Sequence, residues 1–588
     1  MTIRYSLLLS VIALSILIGC ERPPASGEAP ADLIITNAKV YTLQWDNPTL
    51  DGAPATNAPF DGERWSPDAA AIAMRDGLIV AVGSHESVQR WVGPQTRLRD
   101  VNGATVLPGL VDSHTHVFEL GALLDQVNLT GVASEAEAIA LIAARAAKTP
   151  EGEWITGSGW DEGAWADNYP NKTALSEAVP NHPVYMGSLH GFAGWANQRA
   201  LDEAGITAES AIPRGGEMWI GSDGEPTGLF INRATQMMAN ALPPPSAETL
   251  ERHALLGLEQ MAEDGYVAVH DAGDNSAMMT TLLRLEAAGK LPIRFYAMLS
   301  LRDEPLIREW IERGPDADTE SRLVTRSVKA YYDGALGSRG ARLLADYSDM
   351  PGHRGVSGSN YGFDEALMAD AMRAGFQIAI HAIGDAGNRE AMDILERVYE
   401  TDPATRQLRH RIEHAQVIAP ADMGRLAELG LIASMEPPHA MEDKTWAEAR
   451  LGPTRILGAY AWRSLREAGT QITFNADNPG SDHSIFYGLH SAVTRRDPSL
   501  QPTGGWYPEQ RFSIDEAIRA YTTWSAYASF RGDETGVIEP GRWADLTVMD
   551  IDPFDVAVRN PDALLSGKIL MTIVGGDVLY ERSLAGAE

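Results

Sequence analysis

A chain of 588 residues, 44% of them hydrophobic, carries enough apolar side chains for a large core and for more than one domain. Its formal net charge of −32 argues against nucleic acid or an anionic bilayer surface as partner, because both demand basic patches. Only one cysteine is present, which excludes intrachain disulfides.

At the N-terminus a positive charge, Arg4, precedes an apolar run from Leu7 to Ile18. That run is too short for an ordinary transmembrane helix and has the length of a signal-peptide core. It ends in Leu17-Ile18-Gly19-Cys20, which looks like a bacterial lipobox and uses the sole cysteine. Residues 1–20 are therefore expected to be a lipoprotein signal ending at Cys20, with a Pro/Ala/Glu tether over residues 21–30. A lipid on Cys20 would make the membrane a partner of an exported, envelope-anchored body. No second hydrophobic span follows.

Residues 31–105 alternate short apolar runs with turns, as in LIITNAKVYTL and AIAMRDGLIVAVG, and predict strands. The Pro/Gly/Asp-rich stretch Trp45 to Pro67 reads as a surface loop between them. Strand patterns return in ADLTVMDIDP and ILMTIVGGDVLYE, so residues 31–105 plus 535–583 are expected to form one composite β-sandwich. Next comes the apolar run Thr105 to Val111, a predicted buried strand that ends in His114 and His116. Residues i and i+2 of a strand point to one side, so both imidazoles converge, as a divalent metal requires.

Residues 106–534 change character. FDEALMADAMRAG has helical spacing, stops at Gly375 and precedes the strand QIAIHAIG; PADMGRLAELG precedes LIASMEPPH; YAWRSLREAG precedes QITFNADNP. Repeats of this kind build a parallel sheet, and about 400 residues of them favour an α/β fold of the (β/α)8 TIM-barrel type, with a doubly wound open sheet as the alternative. Chemically capable residues sit at successive strand ends: Lys329, His381, His414, His439 and Asp477. In a barrel those ends surround the mouth where active sites form. No glycine-rich nucleotide loop is present.

PGLVDSHTH, LHGFAGWANQRALDEAGI, VKAYYDGALGSRGA, HAIGDAGNREAMDILE, HRIEHAQ and TGVIEPGRWADLTVMDIDP occur in an order that resembles the metal-dependent amidohydrolase superfamily. The resemblance is to its amidohydrolase-3 branch, which includes N-substituted formamide deformylases. It implies a deformed (β/α)8 barrel with a β-sandwich from both termini. It also implies a centre of two divalent ions, zinc first, with His114 and His116 from the first strand, Lys329 from the fourth, His381 from the fifth, His414 from the sixth and Asp477 from the eighth. Lys329 matches a lysine that carries a CO2-derived carbamate in many relatives. The alternative is an inward ammonium paired with Asp333, since a buried unpaired ammonium is expensive. At Asp477 the neighbourhood reads Asn-Ala-Asp instead of the more usual Gly-Ser-Asp, and nearby Asp482 is a decoy that does not end the strand.

The mechanism implied is hydrolysis of a non-peptide C–N bond in a small amide, N-acyl or cyclic amide substrate. Metal-activated hydroxide would be the nucleophile and Asp477 the proton shuttle. His190 matches a position that reaches the substrate or its oxyanion in relatives. Substrate selection is assigned to an insertion within about 118–326, where Trp160, Asp161, Trp165 and Trp195 suit an apolar group, with Arg339 and His439 as further pocket candidates. An esterase, lactonase or mononuclear deaminase would use the same centre, and a catalytically silent binding lipoprotein is the reading from another class. Assembly with further copies of the chain stays open.

Overall fold

The computed structural model describes residues 29–161, 165, 169–189, 193–318 and 320–583. Eight strands form one parallel sheet: β1 (Leu110–Thr115), β2 (Tyr266–Asp274), β3 (Arg294–Ser300), β4 (Leu323–Tyr331), β5 (Gln377–Ala382), β6 (Arg411–His414), β7 (Ile432–Met435) and β8 (Gln471–Phe474). Each pairs with the next in chain order. A parallel bridge from Thr115 to Asn478, just past β8, brings the first and last strands together and nearly closes a (β/α)8 barrel.

The barrel strands are buried along almost their whole length, which is why they read as continuous apolar runs without alternation. Local signals set the helices between them. Asp364 accepts a hydrogen bond from Leu367 N to start the helix Glu365–Arg373, and Gly375, at φ 97°, turns the chain into β5.

Both chain ends build two further sheets. One has four strands, Leu33–Thr36, Ala71–Arg75, Leu78–Gly83 and Arg97–Asp100. The other has five, with Lys39–Val40 and Thr105–Pro108 beside Leu546–Met549, Ile569–Val574 and Asp577–Glu581. Leu33, Ile72 and Met74 of the first share a core with Val106, Leu546 and Ile573 of the second, which makes the pair a β-sandwich. The sandwich meets the barrel through Arg294, whose guanidinium grips Asp545 at 2.6 and 3.1 Å beneath the Trp543 ring.

Two expectations are corrected. The run Thr105–Val111 is not one strand: Thr105–Pro108 pairs antiparallel with Leu546–Met549, and the chain crosses at Gly109 into β1. A Cβ at Gly109 would come within 2.3 Å of the Val267 side chain, so only glycine lets the chain change sheets there. Trp45 to Pro67 is not a bare surface loop either. Trp45 and Trp65 are buried and pack, tilted or edge-on, against each other and against Phe554, and Trp45 Nε1 donates to Asp515 at 3.2 Å.

The long segment between β1 and β2 carries its own six-stranded sheet, from Val127–Asn128 to Pro226–Asn232. Its separate core includes Trp160, Trp165, Leu175, Met186 and Trp195. The helix Ala247–Glu263 then leads back to β2. Among the described residues no helix is long and apolar enough to cross a membrane. Cys20 and the expected lipobox lie outside the described residues.

Candidate metal centre

Register places the chemistry. Lys329 pairs with Ala379, two residues before His381, and His381 pairs with Glu413, one before His414, so β4, β5 and β6 all carry their functional side chains near their C-terminal ends, at the mouth. β1 adds His114 and, one residue past its end, His116; the segment after β8 adds Asp477. The rings of His114 and His414 lie 5.1 Å apart, those of His381 and His414 4.5 Å, and those of His114 and His116 5.5 Å.

The polar atoms of this group crowd together without completing one another. Lys329 Nζ is 2.8 Å from His114 Nε2. Asp477 Oδ1 is 3.4 Å from His114 Nε2 and 3.1 Å from His116 Nε2, yet it is buried with no aligned hydrogen bond. His381 Nε2 is likewise buried without a hydrogen-bond partner, and the ligand-capable atoms of His114, His414 and Asp477 fit within 4.8 Å of one another. Unsatisfied buried groups of this kind are costly unless something else binds them. Neutral imidazoles and a carboxylate are the donors a divalent metal prefers, so the residues fit the group.

Electrostatics prepare the donors. Burial and the neighbouring Lys329 push the His114 pKa down to about 4, leaving the ring neutral. Its Nδ1 is 2.6 Å from Glu413 Oε2, which fixes the Nδ1–H tautomer and leaves the Nε2 lone pair facing the centre. Burial would raise Asp477, but the imidazoles that face it, His116 at 3.1 Å among them, hold it well below the ordinary carboxylate value. Burial lowers Lys329 to about 8. Backbone strain gathers here as well: His414, Ala415 and Asp477 have φ of 73°, 42° and 49°.

Lys329 does not pair with Asp333. That carboxylate is occupied by the backbone N–H groups of Ile383, Gly384 and Arg342 at 2.8–2.9 Å. Asp482 instead caps a turn through Ser484 N, away from the cluster.

Beneath the ligands lies a charged layer that sequence reasoning missed. Arg411 makes two hydrogen bonds to Glu413, at 2.7 and 2.9 Å, and also reaches Ser113 O, Ser434 Oγ and His270 Nδ1. All of it is buried, and a buried pair survives only when so fully satisfied. The available signal was Arg411 and Glu413 at i and i+2 inside HRIEH, two charges on one face of a buried strand. Glu436, at the end of β7, was also missed; its Oε2 lies 3.3 Å from His414 Nδ1 and 3.5 Å from His439 Nδ1.

The remaining pocket candidates divide. His439 joins the cluster, its ring 6.3 Å from that of His414 and nearly parallel to it. Trp160 and Trp195 belong to the core of the inserted subdomain, where their indole N–H groups donate to Met186 O and Asn171 O. Arg339 is engaged by Asp349 at 2.9 and 3.1 Å in a half-exposed ion pair. Asp161 directly follows the strand Ile155–Trp160, and His190 lies outside the described residues. A cleft of about 620 Å³ opens between Phe118, Trp154, Pro243–Pro245 and Met278, but none of the ligand set lines it. The converging donors, not that cleft, locate the chemistry.

A metal-binding mouth on a (β/α)8 barrel with a sandwich from both termini defines a metal-dependent hydrolase. Residues 97–580 match the amidohydrolase family, and the chain belongs to it. It is similar to Protein LONG AFTER FAR-RED 3 of Arabidopsis thaliana, 29% identical over 95% of this chain and 93% of that one. It is also similar to N-substituted formamide deformylase of Arthrobacter pascens, 28% identical over 94% and 99% of the two chains. Among solved structures, an uncharacterized metal-dependent hydrolase from Pyrococcus horikoshii OT3 superposes with a TM-score of 0.69, at 24% identity over 90% of this chain and 99% of that one. The family makes the protein a metal-dependent hydrolase of carbon–nitrogen bonds other than peptide bonds.

Proposed function

We propose that the protein hydrolyses small N-acyl amines, N-substituted formamides or cyclic amides at a centre of two divalent ions, zinc first. His114, His116, Lys329, His381, His414 and Asp477 would hold them. The observation that carries this reading is His114 Nε2 standing 2.8 Å from Lys329 Nζ and 3.4 Å from Asp477 Oδ1, with Asp477 Oδ1 and His381 Nε2 buried and unpaired. The similarity to N-substituted formamide deformylase supports the substrate class.

Bound metal supplies Lewis acidity toward a carbonyl oxygen and lowers the pKa of water. The chain's own residues do the rest. Glu413 orients His114 through its Nδ1–H, and Arg411 keeps Glu413 charged. Asp477, held as a carboxylate, takes a proton at Oδ1 from the attacking water and passes it to the leaving nitrogen, acting as base and then as acid. For Lys329 to serve as a ligand it must lose its cationic character. Its neutral amine adds to CO2, forming an N–C bond and releasing one proton, and the resulting carbamate offers two oxygens.

Metal analysis of the protein lacking residues 1–20, beside its Lys329→Ala variant, tests the centre. About two ions per chain, fewer in the variant, and turnover of an N-acyl amine panel support the reading. One ion, unchanged in the variant, would favour a mononuclear deaminase; none after metal-replete expression would leave a binding protein. We further propose that lipid on Cys20 tethers the protein to the cell envelope. Metabolic labelling with a radioactive fatty acid should mark the full chain and not Cys20→Ser.

A further inference from the structure

We propose that Glu436 is a positioning residue shared by two imidazoles. It sets His414 for the metal and presents His439 as a catalytic residue that hydrogen-bonds the substrate's carbonyl oxygen. The inference rests on the metal-centre reading above.

Glu436 follows β7 and opens the helix Pro437–Asp443, on whose first turn His439 stands. The carboxylate is buried, and its Oε2 sits between His414 Nδ1 at 3.3 Å and His439 Nδ1 at 3.5 Å. The two rings are inclined by only 16°, with centroids 6.3 Å apart. In an imidazole the two nitrogens lie on opposite edges. A carboxylate facing both Nδ1 atoms therefore turns both Nε2 atoms away from itself. For His414 that direction serves the ligand cluster with His114 and Asp477. For His439 it leaves a free ring edge, and the side chain keeps 18% exposure where its partner His414 has 4%. Among the described residues no hydrogen bond is made by His439 Nε2. A ring that faces a carboxylate at one nitrogen and is open at the other, beside a metal centre, can donate to an oxygen that the centre polarises.

Glu436 faces His414 Nδ1 as Glu413 faces His114 Nδ1, but at 3.3 Å and without an aligned hydrogen bond where the other contact is 2.6 Å. A further difference is the second imidazole. Glu413 is backed by Arg411 and closed off from solvent, whereas Glu436 faces a histidine with one accessible edge. Its other oxygen, Oε1, is buried without a hydrogen-bond partner.

The test uses the zinc-loaded protein and two readouts that need no turnover: zinc affinity by chelator competition, and affinity for acetohydroxamate, whose oxygens imitate a polarised carbonyl. Glu436→Gln should weaken zinc binding by roughly 10–100-fold, as loss of a carboxylate behind a ligand histidine does elsewhere. His439→Asn keeps an amide nitrogen near the Nδ1 position and loses the Nε2 edge, whereas His439→Gln reaches the Nε2 position. Acetohydroxamate should therefore bind roughly tenfold more weakly to His439→Asn than to His439→Gln, with zinc affinity intact in both. Equal hydroxamate affinity in the two His439 variants, or wild-type zinc affinity in folded Glu436→Gln, would overturn the proposal. A wild type that hydrolyses no amide would sink the amide reading and leave this comparison standing.

Discussion

The inserted subdomain and the barrel mouth both gather large rings capable of hydrogen bonding, and they differ in what those rings leave unfinished. In the subdomain the Trp165 ring lies 5.7 Å from Trp160 and 6.2 Å, edge-on, from Trp195, and all three indole N–H groups donate to a backbone carbonyl: Trp160 to Met186, Trp165 to Val132 and Trp195 to Asn171. At the mouth four imidazoles, a lysine and a carboxylate come equally close, and His381 Nε2 and Asp477 Oδ1 remain buried and unpaired. Ring density alone does not mark a site. Convergence does: isolated unpaired groups such as Trp91 Nε1 and Trp462 Nε1 occur elsewhere, but among the described residues only at the mouth do unpaired atoms of several strands face one point as metal ligands would.

The largest expected effect lies at the mouth. Asp477→Asn keeps a side chain of the same shape, so metal should stay bound while kcat falls by about 10²–10⁴-fold with the proton shuttle gone. Metal content measured beside steady-state rates checks it; undiminished turnover would remove Asp477 from the chemistry. Trp160→Ala should reverse the pattern. Emptying a fully buried tryptophan site costs about 3–5 kcal/mol and should open the inserted subdomain to limited proteolysis with the metal content unchanged. If that variant lost metal instead, subdomain and centre would be one cooperative unit.

Much of the mouth was legible in the chain because its ligands stand at or near strand ends, two of them after a glycine that stops a helix: His381 after Gly375 and Asp477 after Gly469, with the pair His114 and His116 at i and i+2. What sets the donors' protonation was harder to read. Arg411 and Glu413 stand close to His414 in sequence, and only closure of the barrel carries them across to His114, about 300 positions away. The tryptophans of GSGWDEGAW and LHGFAGWAN misled for a related reason. An aromatic residue in a loop-rich segment reads as pocket lining until a sheet is known to form beneath it, and here Ile155–Trp160 and Ala193–Ala196 are strands of such a sheet. Gly109 shows a third limit: one unbroken apolar run spans two sheets, and periodicity carries no mark of the crossing.

A smaller effect separates a carbamate from a plain lysine. With its pKa lowered to about 8, Lys329 is about one-tenth neutral at pH 7, far more than an ordinary lysine near 10.4. Only the neutral amine adds to CO2. Under a fixed partial pressure of CO2, the rate at which zinc-supplied apoprotein gains activity should rise about tenfold per pH unit below 8 and level off above it. A rate that climbs steadily to pH 10 would mean a lysine with an ordinary environment. A rate that ignores CO2 would mean no carbamate.

The smallest effect concerns Arg339, whose conformation invites a functional reading: it sits in a loop beyond β4 with φ at 62°. Its guanidinium nevertheless meets Asp349 through two hydrogen bonds, and Asp349 also holds Arg450. Removing Arg339 therefore leaves the carboxylate with a cation, and no partner is stranded in a low-dielectric site. Half-exposed pairs of this kind gain little in water and lose most of that gain to screening. Arg339→Ala should leave metal content alone and change kcat/KM by about twofold at most. A larger fall in kcat/KM, with the melting temperature preserved, would mean that Arg339 leaves Asp349 to meet the substrate, and would extend the site from the ring cluster to the loop above it.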